Sequence, residues 1–494
     1  MAEVVGFSLT CMRHVVLAAS GLFIGGWGVA HAQQAPPVVL AHYYTWWDAL
    51  NKPGFPLKPS RGWYINQTPP YQTPVPSMIF RDQIRDARAG GLAGFAFEWM
   101  GPQSPETQII LNGPVAANNT LPADRRMRYI LTFDTTIWAM AYQHIMEHWY
   151  EPIVFDEAVA EAFSSAVSWV STTLPSRDPN FASSYLHIDG RPAVFVYNAH
   201  SFAGEWQQAI ALTRQKAATA GGIFLIGDFE VSPHPYFDQK RLHEYPAKAA
   251  LYDAVSNYTL FSGWTFLSLH EYIQQGCLQE ALHIGQTLGS HSLSGRYYPG
   301  IIAQYFKSRA LAPGETGGGD CPGQLTDRVF LTDGSAGYFP IYWGRPGESV
   351  DSVGIQSRCE LRRLLSATVR SGPELILVTS WNEPVEGTMI EPSQSPNPAC
   401  YTMGSDFLDL LSRFVPAGGS PVPVKADLDL DGDVDQEDFG LFQACMTGSG
   451  ALPSDACCAM AELDGQPGID QSDFRILQKC LSGTNVPADP ACGP

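Results

Sequence analysis

The chain is short of basic residues. Thirty Lys and Arg stand against forty-nine Asp and Glu over 494 residues, for a formal net charge of −19. A surface weighted this way repels phosphate backbones and anionic headgroups, which excludes nucleic acid and an acidic membrane face as partners. Long apolar runs are also lacking. The stretch from Val15 to Ala30 is too short and Gly-rich to span a bilayer comfortably, and nothing later in the chain is longer. With Arg13 and His14 ahead of it and a small-x-small site, Ala30-His31-Ala32, behind it, the stretch predicts a signal peptide over residues 1–32. The expectation is export, to the medium or the cell surface, with no membrane span after signal removal. Cysteine is sparse: of ten, Cys11 falls in the leader, leaving Cys277, Cys321, Cys359, Cys400, Cys445, Cys457, Cys458, Cys480 and Cys492. In an exported chain these pair as disulfides more often than they hold metal, and an odd number leaves at least one unpaired.

Beyond residue 32 the chain is too long for one ordinary domain. The Pro/Gly/Ser stretch 415–424 reads as an extended linker between a mixed α/β segment, 33–414, and an acidic, Cys-rich tail, 425–494. In the first segment, short apolar runs alternate with stretches long enough for a helix. Strands are predicted at Val38–Trp46, Gly91–Trp99, Met127–Asp134, Pro192–His200, Gly222–Glu230, Asp253–Tyr258, Pro299–Phe306 and Glu374–Trp381. Ser77–Ala89 and Arg358–Arg370 are amphipathic, each ending near a glycine suited to cap a helix. Eight buried strands alternating with helices predict an α/β fold of the (β/α)8 TIM-barrel type, followed by a small α-helical calcium-loop domain.

A barrel of this kind carries its chemistry at the carboxyl ends of its strands. Those ends are polar or aromatic, with Tyr43, Glu98, Glu230 and Tyr305 among them, and His42, Tyr44, Trp46, Trp99, Asp134, Tyr197, Asn198, Asp228 and Tyr258 are the candidate ligand contacts. Carboxylates and amides hold hydroxyls while aromatic rings cover a C–H face, so the set predicts a polysaccharide ligand. The aromatic content, 12 %, serves either an ample core or such stacking.

After the eighth strand runs Val378-Thr-Ser-Trp-Asn-Glu-Pro-Val-Glu-Gly-Thr-Met-Ile-Glu-Pro392. Glycosidic cleavage normally needs two carboxyl groups. Glu383 and Glu386 are three apart, and Pro384 suits the first position of a helical turn. In such a turn their Cβ atoms lie about 5–6 Å apart. That loosely matches the roughly 5–5.5 Å associated with retention of configuration. Spacing alone reads equally well as a helix start enriched in Glu for the dipole.

The stretch resembles the signature of glycoside hydrolase family 99 and its family 71-like relatives. Ser380, Asn382, Glu383, Glu386, Gly387, Thr388, Ile390, Glu391 and Pro392 match it. His42-Tyr-Tyr-Thr-Trp46, the run from Gly94 to Pro102, and Asp189-Gly-Arg-Pro192 resemble upstream family segments in the right order. The resemblance implies a (β/α)8 barrel, endo-acting cleavage of α-mannosidic linkages, and no metal cofactor for catalysis. It makes Glu383 the base that helps the sugar's 2-hydroxyl attack C1, and Glu386 the acid that protonates the leaving oxygen. Asn382 and Glu391 join the substrate-binding set. Pro384 and Val385 replace the family's Trp and His, and Glu98 stands where the family has a small or polar residue. These departures leave open an α-glucanase of the family 71 type, or a non-catalytic carbohydrate-binding protein. The Asn-Glu-Pro motif also resembles the fourth-strand acid of other retaining barrels. That reading needs four more β/α units, and the chain before the linker is too short to hold them.

The tail opens with a 12-residue acidic loop, Asp427 to Asp438. Asp427, Asp429, Asp431, Asp435 and Asp438 fill positions 1, 3, 5, 9 and 12 of a calcium loop, Asp433 lies among them, and Gly432 sits at position 6, where the chain must turn. Thirty-five residues on, the pattern repeats more weakly with Glu462, Asp464, Gln466, Asp470 and Asp473, and Pro467 replaces the glycine. Ca2+ is therefore the expected cofactor, held more tightly by the first loop. Cys445–Cys457 and Cys480–Cys492 share a spacing of twelve, which predicts one local disulfide per repeat and leaves Cys458 over. Two calcium loop–helix repeats resemble a dockerin, which implies a cohesin-like or cell-surface partner.

Overall fold

The computed structural model describes residues 37–45, 58–59, 77–147, 151–229, 231, 244–258, 277–302, 362–382, 389–394, 404–415, 424–429, 432–451 and 457–493. The predicted signal peptide, Trp46, Glu230, Tyr305, the pair Glu383 and Glu386, Asp431 and most of the predicted linker lie outside them.

The barrel strands are β1 (Val38–Tyr43), β2 (Gly94–Trp99), β3 (Arg128–Phe133), β4 (Arg191–Val196), β5 (Phe224–Asp228), β6 (Ala254–Ser256), β7 and β8 (Leu375–Thr379). β7 consists of two runs, Arg296–Tyr298 and Gly300–Ile302. All neighbours are parallel, and the pairing closes a ring: β8 joins β1 with Val38 opposite Leu375, while the first run of β7 joins β6 and the second joins β8. This is a (β/α)8 barrel.

Strand β7 changes partners at a proline. Pro299 has no N–H to give a ladder, yet its carbonyl accepts from Leu377 N at 3.1 Å, so pairing passes from β6 to β8 there. A Cβ on Gly300 would stand 1.9 Å from the carbonyl oxygen of Asn257, so glycine is required for that close approach. The predicted seventh strand, Pro299–Phe306, thus began too late: its first half is the charged and aromatic run Arg296–Tyr298.

The strands alternate between two apolar layers. Val39, Ala41, Phe95, Phe97, Leu131 and Val378 face outward into the core beneath the helices. Leu40, Ala96, Ile130, Phe195, Ile226 and Leu377 face inward and plug the barrel. Outside, α1 (Ser77–Ala89) buries Phe80, Ile84 and Ala87. It ends where Gly91 takes φ 85° and Leu92 N reaches back to the Ala87 carbonyl at 2.9 Å, a glycine-capped helix end. Helices α2 (Glu157–Thr172), α3 (Trp206–Ala218), α4 (Cys277–His291), α5 (residues 362–370) and α6 (Gly404–Phe414) follow the alternation expected of the fold. Among the described residues no helix is long and apolar enough to cross a membrane.

A separate apolar cluster belongs to the tail. Leu428, Val434, Phe442, Leu463, Ile469 and Leu477 pack between α7 (Gln436–Ala444) and α8 (Gln471–Cys480).

Candidate functional site

Inward-facing positions change character towards the carboxyl ends of the strands. Above the apolar plug come His42, Glu98, Thr132, Ser256 and Thr379, each buried and each in step with an inward apolar residue two places earlier or with the strand's inward face. His42 Nδ1 lies 2.8 Å from Glu98 Oε1 and 3.3 Å from the Thr132 hydroxyl. The Tyr258 ring sits 4.8 Å from the His42 ring, and Tyr197 packs edge-on against Tyr258 at 5.1 Å. Burial holds the imidazole of His42 neutral, with its pKa pushed down to about 3.

Two carboxylates tie the rim together. Asp228, at the end of β5, accepts from the backbone N–H groups of Asn198 and Tyr258, both at 2.8 Å. Burial raises its pKa to about 7 against the pull of those two N–H donors. Asn198 itself adopts φ 55°, a left-handed conformation that asparagine tolerates, and donates to the Thr136 hydroxyl at 3.1 Å. Asp134 caps the short turn that follows β3, accepting from Ile137 N at 2.9 Å, and burial raises its pKa to about 6.

The last strand closes against the first. Asn382 Oδ1 accepts from Tyr44 N at 2.7 Å and its Nδ2 donates to the Tyr44 carbonyl at 2.8 Å. Trp381 N donates to the His42 carbonyl at 2.7 Å, and Ile390 N and Glu391 N return to the Trp381 carbonyl at 3.2 and 2.8 Å. The residues on either side of 383–388 are thereby fastened together beside His42, at the carboxyl end of the barrel. Glu383 and Glu386 fall in that interval, outside the described residues.

Three sequence expectations need correction. Trp99 is fully buried on the outward face, where its indole N–H donates to the Thr107 hydroxyl at 2.8 Å and its ring packs on Phe133 and Trp169. It fills the layer under the helices and is not a stacking face for substrate. Glu391 is likewise fully buried and accepts from Gln83 of α1 at 2.9 Å, with Gln83 in turn accepting from the outward-facing Tyr43 at 3.0 Å. It anchors the last strand to the first helix. Glu98, a polar strand end left out of the candidate ligand contacts, takes the inward place next to His42. The strict alternation in Gly-Phe-Ala-Phe-Glu-Trp was the available signal: Glu98 shares its parity with Ala96, and Trp99 with Phe95 and Phe97.

In the tail the two repeats have one hydrogen-bond plan. Asp438 accepts from Leu428 N, from Asp429 N at 3.2 Å and from Asp435 N at 2.7 Å. Thirty-five residues on, Asp473 accepts from Leu463 N at 2.6 Å, Asp464 N at 3.1 Å and Asp470 N at 2.9 Å. Carboxylate oxygens of Asp427, Asp429 and Asp438 lie within 4.8 Å of one another, as do those of Asp433, Asp435 and Asp438, and those of Glu462, Asp464 and Asp473. Hard oxygen donors gathered in this way fit a calcium ion. The loops differ at the turn. Gly432 takes φ 102° and its N–H reaches Asp427 at 3.0 Å. Pro467 cannot adopt a positive φ, so the turn shifts to Gly465 (φ 80°) and Gly468 (φ 107°). Cys480 pairs with Cys492, but Cys445 pairs with Cys458 rather than with Cys457. The spacing of twelve holds in the second repeat, while the bridge of the first spans thirteen.

No protein-family model and no curated protein matches the sequence. Among solved structures, the chain is similar to a glycoside hydrolase-like protein at 15 % identity and a TM-score of 0.47, covering 79 % of this chain and 97 % of that one. It is similar to the GH99 endo-alpha-mannosidase from Bacteroides thetaiotaomicron at 13 % identity and a TM-score of 0.45, covering 76 % and 95 %. GH5_18 from Streptomyces cattleya aligns at 12 % identity and a TM-score of 0.40, over 90 % and 91 %. Alignments this loose decide nothing about reaction or substrate. The barrel stands on its own strand pairing.

Proposed function

We propose that the protein is an exported, retaining, endo-acting glycoside hydrolase of an α-linked mannan-type polysaccharide. The observation that carries this reading is the buried polar and aromatic layer of His42, Glu98, Asp228 and Tyr258 at the carboxyl end of the barrel, beside the collar from which residues 383–388 depart. A binding layer of hydrogen-bonding groups and rings suits a hydroxylated ligand with apolar faces. The motif resemblance supplies the acids. Glu383 takes the proton of the sugar's 2-hydroxyl as that oxygen attacks C1. Glu386 gives its proton to the departing oxygen and then draws one from the water that attacks C1, while Glu383 returns its proton to O2 as the C1–O2 bond breaks. The pair of carboxyl groups is the minimum that such cleavage needs.

The remaining assignments belong to the same reading. Residues 1–32 direct export, 33–414 form the catalytic unit and 415–424 a linker. Residues 425–494 form a dockerin-like module that binds Ca2+ through its acidic loops and docks on a cohesin-like or cell-surface partner. The repeat symmetry of Asp438 and Asp473 supports the module, and the displaced turn at Pro467 supports a weaker second site.

The test is a substrate screen of yeast mannan and α-1,3-glucan with the wild type and Glu386→Gln. Release of mannan fragments by the wild type alone supports the reading. Cleavage of α-1,3-glucan instead would move the donor sugar to glucose, in keeping with the changed residues Pro384 and Val385. Binding without cleavage of any glycan would leave a carbohydrate-binding barrel.

A further inference from the structure

His42 and Glu98 sit on neighbouring strands inside the barrel, the first fully buried and the second 2 % exposed. Glu98 Oε1 stands 2.8 Å from His42 Nδ1. Across the ring, Nε2 is buried with no hydrogen-bond partner among the described residues. Native interiors rarely leave such an atom unmatched, and one that remains calls for a partner or a role. A carboxylate at one imidazole nitrogen fixes the tautomer: Glu98 accepts the Nδ1 proton, which leaves the lone pair on Nε2. The neutral ring that burial enforces is consistent with this arrangement. The same edge of the barrel carries the Tyr258 ring, 4.8 Å from His42. Glu98 departs from the resembled family, so the pair is a feature of this chain.

We propose that Glu98 is a positioning residue that fixes His42 so that Nε2 accepts a hydrogen bond from a ring hydroxyl of an uncharged sugar seated above the apolar plug. The inference rests on the glycan reading and narrows its substrate class. A sugar carboxylate would meet a lone pair backed by a second carboxylate, so uronate units are excluded from this place, whereas a hydroxyl finds an acceptor. Phe195, edge-on to His42 at 5.3 Å, holds the ring from below.

The test uses the full chain and four classes of probe: methyl α-mannopyranoside, methyl α-glucopyranoside, their monodeoxy derivatives, and methyl α-glucuronide, with affinities read by NMR titration. For the glycoside that binds, one monodeoxy derivative is expected to bind the wild type about tenfold less tightly, the size of one hydrogen bond. His42→Phe should show no added loss for that derivative, and Glu98→Leu should behave like His42→Phe. Glu98→Gln should keep part of the discrimination, because its amide can offer Nδ1 either an acceptor or a donor. A merely structural role would weaken every derivative alike. The proposal is overturned by an identical pattern of deoxy penalties in wild type and His42→Phe, or by glucuronide binding as tightly as the neutral glycosides. Should His42→Phe fail to fold, Glu98→Gln decides alone: relaxed discrimination supports the pair, and unchanged discrimination sinks it. If the wild type binds none of the neutral glycosides, the glycan reading itself fails and takes the proposal with it, an outcome distinct from binding that is indifferent to His42.

Discussion

Asn382 grips Tyr44 by both of its backbone groups, accepting from its N–H at 2.7 Å and donating to its carbonyl at 2.8 Å across 338 residues of sequence. The clamp is the geometry of a strand ladder made by one side chain, and it holds the exit of β8 against the exit of β1. Asn382→Ala removes both bonds to buried backbone groups, so stability should fall by about 1–3 kcal/mol. Asn382→Asp keeps the acceptor but sets a carboxylate against the Tyr44 carbonyl, and should cost at least as much. The urea midpoint of each variant checks this. An unchanged midpoint in Asn382→Ala would contradict the clamp.

Asp228 makes stability depend on pH. An unfolded Asp titrates near pH 3.9, while burial lifts the native carboxyl to about 7. Between those values the native state holds the extra proton, so the contribution of this carboxyl to stability is greatest below about pH 4 and falls as pH rises towards 7. Asp134, raised to about 6, acts in the same direction. Asp228→Asn removes one of the two titrations and should flatten part of the slope in urea unfolding across this range. An equal slope in wild type and variant would sink the assignment.

The eight strands were legible because each is an apolar run long enough for one barrel stave. Orientation was legible too, wherever alternation is strict: His42 follows Leu40 inward, and Tyr43 follows Ala41 outward. What the sequence could not show are contacts made at a distance. Nothing near Glu391 announces Gln83, which lies 308 residues away, and nothing near Glu98 announces His42. A motif match therefore marked Glu391 and Asn382 for the ligand, while the fold uses both to fasten the last strand. The repeat in the tail was legible because its acidic side chains and the N–H groups they accept from are close neighbours in sequence.

The choice between Cys457 and Cys458 is open to direct mapping. Non-reducing peptide mass spectrometry should find Cys445 linked to Cys458, and Cys458→Ser should lower the tail's stability by about 2–4 kcal/mol. A Cys445–Cys457 peptide would contradict the pairing.

Calcium should stabilise the tail by mass action, raising the unfolding temperature of the wild type with ion concentration. Calorimetric titration is expected to show a tighter and a weaker site. Asp431→Ala should abolish the tighter one and Asp464→Ala the weaker one. A wild-type unfolding temperature indifferent to calcium would refute both loops.

The central claim is glycan cleavage by the Glu383 and Glu386 pair. Its most direct measurement is time-resolved NMR of the anomeric protons during digestion of yeast mannan by the wild type, Glu383→Gln and Glu386→Gln. The account predicts that α-configured reducing ends appear first with the wild type, and that either variant slows their release by about a hundredfold or more. First-formed β anomers would contradict retention, and undiminished release by Glu386→Gln would place the acid elsewhere.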